Sequence, residues 1–308
     1  MTADGRRLPE FVAADGRRIR LRECRPDGEA AGVIQILHGL AEHSARYDRF
    51  AADAAAAGYL VVTHDHRGHG PDHGGERLGH FADDGGWQRV VGDVAAVNAA
   101  IRQAASDVPL TLLGHSMGSY VAQSFLMQHP QSADRLILSG TTWPDRREVR
   151  LARWLAQLVA LVRGKRRQAF LLDRMSFGKF NDRFAPVRTP FDWLSRDEAE
   201  VDRYVDDPLC GFVASNRLWI DLLGGLLEIG TREALSRIPA GLPILILGGE
   251  ADPVGGRSGL ARLADEYRAT GHDDVTLKIY ADARHEMLNE SNRSEVTADI
   301  LGWLNPSP

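Results

Sequence analysis

The sequence predicts an α/β protein that has a mostly parallel central sheet, helices on both faces of the sheet, and an inserted helical segment. Two observations lead to this fold class. Short, continuous apolar runs alternate with longer amphipathic stretches, which is typical of parallel strands that are buried on both faces. That alternation stops between residues 143 and 238, where no run suitable for a core strand occurs.

The strands and helices follow from these runs in chain order. Asp15-Gly16 separates the β-compatible runs Glu10–Ala14 and Arg18–Cys24, and Asp-Gly in this position predicts an antiparallel hairpin. Six further apolar runs predict the core strands: Val33–Leu37, Tyr59–Thr63, Pro109–Leu113, Arg135–Leu138, Pro243–Leu247 and Val275–Tyr280. Five amphipathic stretches between them predict helices: Arg46–Ala57, Trp87–Ala105, Met117–Gln128, Arg257–Thr270 and Glu295–Trp303.

The segment 143–238 is too long to be a loop within a compact domain. We therefore predict a helical cap at 143–238, inserted into a core formed by residues 1–142 and 239–308. Within the cap, the stretch Arg146–Arg167 combines an apolar stripe at helical spacing with eight Lys/Arg residues and one acid. Two interpretations follow: the stripe packs on the core beneath a solvated basic rim, or the helix binds a lipid surface that carries anionic head groups.

Composition narrows the function and the location. A net charge of −5 over 308 residues argues against nucleic acid as a partner. Cys24 and Cys210 lie far apart and are interpreted as free thiols of a reducing compartment. The amino terminus lacks the apolar segment of a signal peptide, and no window approaches 18 uninterrupted apolar residues. We expect a cytoplasmic protein, with peripheral contact at a membrane surface if the cap binds lipid.

A nucleophile motif follows the third of the six core strands. Gly114-His115-Ser116-Met117-Gly118 is a G-x-S-x-G sequence between a predicted strand and a predicted helix, where a sharp turn exposes the serine above the sheet. A serine hydroxyl needs a base to remove its proton before it attacks a carbonyl. The sequence therefore predicts Ser116 as a catalytic nucleophile.

The base and its acid are expected later in the chain, in the order serine, acid, histidine. Asp252 follows the next-to-last core strand and His285 follows the last one. Because the carboxyl ends of parallel strands meet at one edge of the sheet, both side chains are expected close to Ser116. Glu250 and Asp282 are the alternative acids.

Five motifs in this order resemble the α/β-hydrolase superfamily, and specifically its monoacylglycerol lipase and lysophospholipase-like branch: "HGLAEHSARYDRF" at 38–50, "DHRGHG" at 65–70, "GHSMGS" at 114–119, "ADPVG" at 251–255 and "ARHEMLNE" at 283–290. The resemblance implies hydrolysis of single-chain acyl esters, either monoacylglycerols or lysophospholipids, through an acyl-enzyme. The tetrahedral intermediate needs two N–H donors, of which the amide after the nucleophile, Met117, supplies one. The resemblance assigns the other to the amide of Leu40.

Other functions compete with this one. "THDHRGHG" at 63–70 spaces His64, His66 and His69 like the first ligands of a zinc hydrolase, but Gly68 stands where such a site has aspartate. The serine chemistry is complete without a metal or any other cofactor. A proline-iminopeptidase-type serine aminopeptidase, which would need acidic groups in the cap, and a general carboxylesterase are the main alternatives. A dehalogenase would need aspartate at position 116, and a non-catalytic binder would typically have lost part of the triad.

Overall fold

The computed structural model describes residues 11–13, 15–71 and 77–305. Nine strands occur in these ranges: β1 (Phe11–Val12), β2 (Arg18–Ile19), β3 (Leu21–Cys24), β4 (Gly32–Leu37), β5 (Tyr59–His64), β6 (Leu110–His115), β7 (Arg135–Ser139), β8 (Ile244–Gly249) and β9 (Val275–Tyr280). The same ranges contain ten α-helices: α1 (Asp48–Ala56), α2 (Gly86–Ala104), α3 (Met117–Gln128), α4 (Arg146–Arg163), α5 (Phe170–Phe177), α6 (Glu198–Asp206), α7 (Asn216–Ile229), α8 (Arg232–Leu235), α9 (Gly256–Ala269) and α10 (Arg293–Leu304).

The main sheet has the strand order β3-β5-β4-β6-β7-β8-β9. Only β3 runs antiparallel to its neighbour, and the six predicted core strands are all parallel. Every residue of β4, β5, β6 and β8 is buried, because helices cover both faces of the sheet. The predicted fold class is confirmed, and β6, which leads to Ser116, is the central strand of the seven.

Two apolar layers hold the helices against the sheet. On one face, α1 and α10 contribute Phe50, Val296 and Ile300 to a cluster with alternate residues of the strands. On the other face, α2, α3 and α9 contribute a larger cluster that includes Val94 and Phe125. Because the strand residues alternate between these layers, the sheet is fixed from both sides and its carboxyl edge is a rigid base for loops.

The predicted amino-terminal hairpin is partly wrong. β1 pairs antiparallel with β2 around the turn at Gly16, whose φ is +83°, but each strand of the described pair has only two residues. The second predicted run divides after Ile19, and Leu21–Cys24 pairs with β5 at the edge of the main sheet instead. Pairing with that free edge satisfies the backbone groups of β3, which a hairpin partner of two residues could not do. Glu10 and Ala14, the ends of the first predicted run, lie outside the described residues.

Residues 140–243 connect β7 to β8 and are all described; they contain α4 to α8 and no strand of the main sheet. We keep as a proposal the division into a cap at 143–238 and a core at 1–142 and 239–308. α4 begins after its N-cap residue Asp145, whose carboxylate accepts the N–H of Arg147 at 2.8 Å. It ends at Arg163, before Gly164 with φ +93°, so Lys165 to Arg167 follow the helix and do not belong to it.

The apolar stripe of α4 packs on the core only in part. Ala156 and Ala160 are the buried residues of α4, on the face where it contacts α7, and Leu155 of the stripe packs partly buried against the core cluster. Four other stripe residues are exposed: Leu151, Trp154, Leu158 and Val162. Small side chains bring the two helices together, and most of the large ones face solvent. Across the described ranges, no helix has both the length and the hydropathy needed to cross a membrane.

Candidate active site

Ser116 lies at the turn between β6 and α3, with the unusual backbone angles φ 50° and ψ −120°. The flanking glycines permit this turn: a Cβ at Gly114 would lie 2.5 Å from the Gly118 carbonyl oxygen, and one at Gly118 would lie 2.1 Å from that of Leu37. The Ser116 amide donates to the Ser139 carbonyl at 2.9 Å, which ties the turn to β7. The predicted nucleophile is therefore held in a strained turn above the central strand.

His285 and Asp252 meet on the loops that leave β9 and β8. The Nδ1–H of His285 donates to Oδ2 of Asp252 at 2.9 Å, and both side chains are buried. Oδ1 of Asp252 accepts the Val254 N–H at 2.9 Å, so both carboxylate oxygens have a partner. Gly249 lets the two loops approach, since a Cβ there would lie 2.0 Å from the Ala283 carbonyl oxygen.

The environment of His285 favours its cation. Burial lowers the pKa of His285, but the charge and the hydrogen bond of Asp252 outweigh burial, so that the pKa is raised above its usual value. The ring lies 4.8 Å from that of His115, whose own pKa burial lowers to about 4, so that His115 is neutral beside it. A base whose pKa is raised in this way is a stronger proton acceptor.

The alternative acids lie elsewhere. Glu250 is partly exposed and accepts from Nε of Arg257 at 2.8 Å. Asp282 is exposed on the turn after β9. Of the three candidates, Asp252 is the one that contacts His285.

The two predicted oxyanion donors lie on either side of Ser116. Leu40 is in the loop after β4, Met117 is the first residue of α3, and Leu40 lines the same cavity as Ser116 and His285. Within the described chain, neither the Leu40 amide nor the Met117 amide donates to a protein group. Both amides are therefore available to a ligand, as an oxyanion site requires.

Acidic and cap groups hold the loop that carries Leu40. A carboxylate oxygen of Glu42 accepts the Gly39 N–H, and the same oxygen accepts the Tyr47 hydroxyl at 2.9 Å. The Ala41 carbonyl, at a residue with φ 58°, accepts the Tyr204 hydroxyl of α6 at 2.8 Å and the Gly211 N–H at 2.9 Å. The cap thus directly contacts this loop, which is called the oxyanion loop below because of the role predicted for Leu40.

The charge of Glu42 is stabilised by an arginine that the sequence analysis did not assign. Burial raises the pKa of Glu42, but opposing interactions, of which the charge of Arg46 is the strongest, hold this pKa at about 2. Arg46 also donates to Glu286, next to His285, with 2.7 Å between Nη2 and Oε2. The sequence does carry a signal for this network: in "HGLAEHSARYDRF", Glu42 and Arg46 stand four residues apart.

The rings of His38 and His69 link the loop that carries Leu40 to the "THDHRGHG" loop. Nε2 of His38 accepts the His66 N–H at 2.9 Å, so its Nδ1–H donates to the Gly39 carbonyl at 2.8 Å. Nε2 of His69 accepts the Ala41 N–H at 3.3 Å while its Nδ1–H donates to the Arg67 carbonyl at 2.9 Å. Burial, with the neighbouring His38, lowers the pKa of His69 to about 3. Its two nitrogens are occupied by backbone groups of the loops.

The three predicted imidazoles do not converge on one point. The ring centroids of His64 and His66 are 5.3 Å apart and those of His66 and His69 are 6.5 Å apart, both nearly edge to face. Burial, followed by the charge of His38, lowers the pKa of His64 to about 3. This packing fits neutral rings of a scaffold better than the common focus of a zinc site.

Ser116 and His285 open into a cavity of about 290 Å³ between the core and the cap. The walls are mostly apolar and aromatic, and the main side chains are Phe177, Phe191, Trp193, Phe212 and Val254. The Trp193 ring also lies 5.0 Å from the His285 ring, tilted by 41°, and the Glu286 N–H donates to the Leu194 carbonyl at 2.8 Å. The cap therefore provides most of the wall and also contacts the His285 loop.

Comparisons with known proteins agree with this geometry. Residues 28–292 match the family described as "Hydrolase_4: Serine aminopeptidase, S33". The chain belongs to the Hydrolase_4 family. Among curated members of similar sequence, the mouse monoglyceride lipase is 31% identical over 97% of this chain and 89% of its own. The monoacylglycerol lipase of Mycolicibacterium smegmatis is 28% identical over 99% of both chains.

A carboxyl esterase from Bacillus coagulans, solved in complex with glycerol, superposes with a TM-score of 0.87 at 26% identity, covering 96% of this chain and 97% of that one. The predicted resemblance to α/β-hydrolases of the monoacylglycerol lipase branch is confirmed. As a Hydrolase_4 member with these relatives, the protein is a hydrolase of ester bonds that acts on a small-molecule substrate.

Proposed function

We propose that this protein hydrolyses the carboxylic esters of single-chain acyl lipids, with monoacylglycerols as the preferred class, through an acyl-enzyme on Ser116. The observation that carries the proposal is the apolar, aromatic-walled cavity into which Ser116 and the Asp252-bound His285 both open. An acyl chain is stabilised by burial against such walls, while the ester carbonyl reaches the polar end of the cavity.

Each catalytic group has a role in two half-reactions. Ser116 Oγ attacks the ester carbonyl carbon while Nε2 of His285 takes its proton, and the amides of Leu40 and Met117 donate to the oxyanion. The collapse of this intermediate breaks the bond to the alcohol, which leaves with the proton from His285. Water then attacks the acyl-enzyme by the same path, with His285 again as base, and releases the fatty acid and Ser116. Asp252 stabilises the imidazolium in both halves.

The charges along the cavity favour a neutral head group. Among the described residues that line it, Arg174 is the one Lys or Arg side chain, and it follows Asp173 directly in α5. Glu42 and Glu286 add two more acids to the lining. An anionic phosphate would find no cluster of cations here, so a glycerol ester is a better fit than a lysophospholipid.

The same lining disfavours the aminopeptidase alternative. A free ammonium group needs unpaired acids, but Arg46 already binds Glu42 and Glu286. Asp173 is the one cap carboxylate among the described lining residues, and burial raises its pKa, which disfavours its charge. Five curated relatives at 28–31% identity, three mammalian, one mycobacterial and one viral, also bear monoglyceride or monoacylglycerol lipase names.

The test is a panel of a long-chain monoacylglycerol, the lysophosphatidylcholine of the same chain and prolyl-p-nitroanilide. We expect kcat/KM to be highest for the monoacylglycerol and negligible for the anilide. A fluorophosphonate should abolish all activity and add to Ser116, whereas Ser116→Ala should bind no label in mass spectrometry. An adduct on another residue, or preference for the anilide, would refute the proposal.

We also propose that the cap meets the lipid surface through α4 and α5. Their exposed apolar side chains include Leu161, Val162 and Phe170, which are 83%, 84% and 60% accessible. Such a patch on one side of a cap is a typical interaction surface, and a helix with basic and apolar residues can lie in a lipid interface. This position would place the cavity close to aggregated substrate.

The basic side chains do not all contribute to this surface. Lys165 and Arg166 pair with Asp84 and Asp83. Arg146 donates to the carbonyl of Leu227 near the end of α7. Four exposed arginines are better placed to meet anionic head groups: Arg147, Arg150, Arg163 and Arg167.

Vesicle binding tests this second proposal. The double variant Leu161→Ser/Val162→Ser should bind phosphatidylglycerol vesicles at least about tenfold more weakly, because it removes apolar area from the interface. Arg150→Gln/Arg163→Gln should weaken binding only at low salt, since added salt screens these charges. Val12→Ser is the matched control, because Val12 is an exposed apolar residue that lies outside the cap. Hydrolysis of a short soluble ester should be unchanged in all three; equal vesicle binding by the first variant and wild type would exclude the cap as the contact.

A further inference from the structure

Three potential metal ligands face one another where the cap meets the core. His43 follows the loop that carries Leu40, Asp207 comes directly after α6, and Cys210 lies in the next turn of the cap. One ligand atom from each lies within 4.8 Å of the other two, and Nε2 of His43 is 2.8 Å from Oδ2 of Asp207. His43 and Cys210 are buried, whereas the Asp207 side chain is 30% accessible and leaves a path to solvent.

We propose that His43, Asp207 and Cys210 form a binding site for a thiophilic divalent cation such as Zn²⁺. Imidazole nitrogen, carboxylate oxygen and thiolate sulfur are the three ligand types that zinc takes in proteins. Zinc bonds of about 2.0–2.3 Å to a tetrahedral centre require ligand atoms roughly 3.3–3.8 Å apart. The His43–Asp207 pair, at 2.8 Å, is closer than this range and the other pairs lie within 4.8 Å, so side-chain shifts of about 1 Å would complete a three-ligand site with one position left for water.

Arg46 already binds Glu42 and Glu286, so Asp207 is the carboxylate that would offset the charge of an ion at this site. Zinc binds cysteine as the thiolate, so the ion must displace the proton of the Cys210 thiol. On binding, the sulfur proton leaves to solvent and the proton on Nε2 of His43 moves to Nδ1. About one proton is therefore released for each ion bound.

Such an ion would join the cap to the oxyanion loop. Asp207 and Cys210 belong to the cap turn that ends at Gly211, whose N–H donates to Ala41, and His43 follows Ala41 by two residues. The metal–ligand bonds would add to the hydrogen bonds that already join the cap to the core. The ion binds the folded chain and not the separated ligands of the unfolded chain, so it should raise the melting temperature.

Cobalt spectroscopy on the full-length protein tests the site. Co²⁺ added to the wild type should produce a thiolate-to-cobalt charge-transfer band at one equivalent, and Zn²⁺ should displace it. Cys210→Ser should lose the band, while the matched control Cys24→Ser, which removes the other thiol of the chain, should keep it. Asp207→Asn should keep a weakened band and lower the zinc affinity at least about tenfold in titration calorimetry.

Two further readouts guard against misfolded variants and surface binding. Far-ultraviolet circular dichroism should be the same in all variants, and zinc should raise Tm in the wild type and Cys24→Ser but not in Cys210→Ser. A band that persists in Cys210→Ser, a wild type without a band, or zinc affinity unchanged by both Cys210→Ser and Asp207→Asn would overturn the proposal. Should Cys210→Ser fail to fold, the Asp207→Asn affinity decides the same question.

Discussion

Asp252→Asn perturbs the proposed triad in a way that the structure makes specific. Oδ1 of Asp252 accepts the Val254 N–H, so an asparagine keeps its carbonyl oxygen there and turns its NH₂ group toward His285. Nδ1 of His285 must then accept a hydrogen bond, which places the ring proton on Nε2. In this tautomer His285 cannot take the proton of Ser116.

The expected loss in kcat is about 10³–10⁴-fold, as for other triads in which the acid becomes an amide. This corresponds to about 4–5.5 kcal/mol of transition-state stabilisation. The pH profile should change as well. Asp252 raises the pKa of His285, so without it burial dominates and the pKa falls. Since the neutral imidazole is the active form, the rising limb of the kcat profile should move to lower pH.

The assay is hydrolysis of a short p-nitrophenyl ester between pH 5 and 9, with circular dichroism to check the fold. Glu250→Gln is the matched control, because Glu250 is a carboxylate two residues away that pairs with Arg257. It should retain activity within about twofold of wild type. A normal rate in Asp252→Asn, or a comparable loss in Glu250→Gln, would reassign the acid.

Three further outcomes are expected. Tyr204→Phe removes one hydrogen bond to the Ala41 carbonyl, so kcat should fall about tenfold with little change in KM. This loss is smaller than the 10²–10³-fold loss in kcat that follows deletion of an oxyanion donor. An unchanged kcat would mean that the cap does not position this loop. Because the pKa values of His64 and His69 are lowered to about 3, the unfolded chain binds protons below pH 6.5 that the folded chain does not, and stability should decrease as pH falls. At pH 5 each should cost about 2 kcal/mol relative to pH 7.5 in urea unfolding, and equal stabilities would contradict the neutral, buried assignment. Prolonged EDTA should leave ester hydrolysis intact; activity lost to EDTA and restored by zinc in the wild type and in Cys210→Ser alike would return the "THDHRGHG" loop to consideration as a metal site.

The sequence was most informative where local pattern and function coincide. Each core strand is a mostly apolar run, and the glycines around Ser116 have a steric reason that the motif itself supplies. Chain order and the carboxyl-edge rule then predicted Asp252 and His285 on neighbouring loops. Their mutual contact follows from the fold, since both loops leave adjacent strands of one parallel sheet.

Long-range packing decided the features that pattern could not predict. The pairing of Leu21–Cys24 depends on the free edge of β5, which no local signal describes. Helical periodicity identified the stripe of α4, but its buried face was set by the partner helix α7, which accepts Ala156 and Ala160. The ion pair of Arg46 with Glu286 joins residues 240 positions apart, beyond the reach of any spacing rule.

The hydrogen bonds from the cap to Ala41 also limit how substrate preference can change among members of this family. An inserted segment that only shaped the pocket could be exchanged between relatives to transfer substrate preference. Here Tyr204 and Gly211 belong to the inserted segment and donate hydrogen bonds to the loop that carries Leu40. Replacing the cap with that of a relative would therefore change the pocket and also remove hydrogen bonds that position the proposed oxyanion donor. Chimeras should therefore keep a normal kcat only when the transplanted segment carries equivalents of both contacts. Substrate selectivity and turnover are then coupled through the cap in this architecture.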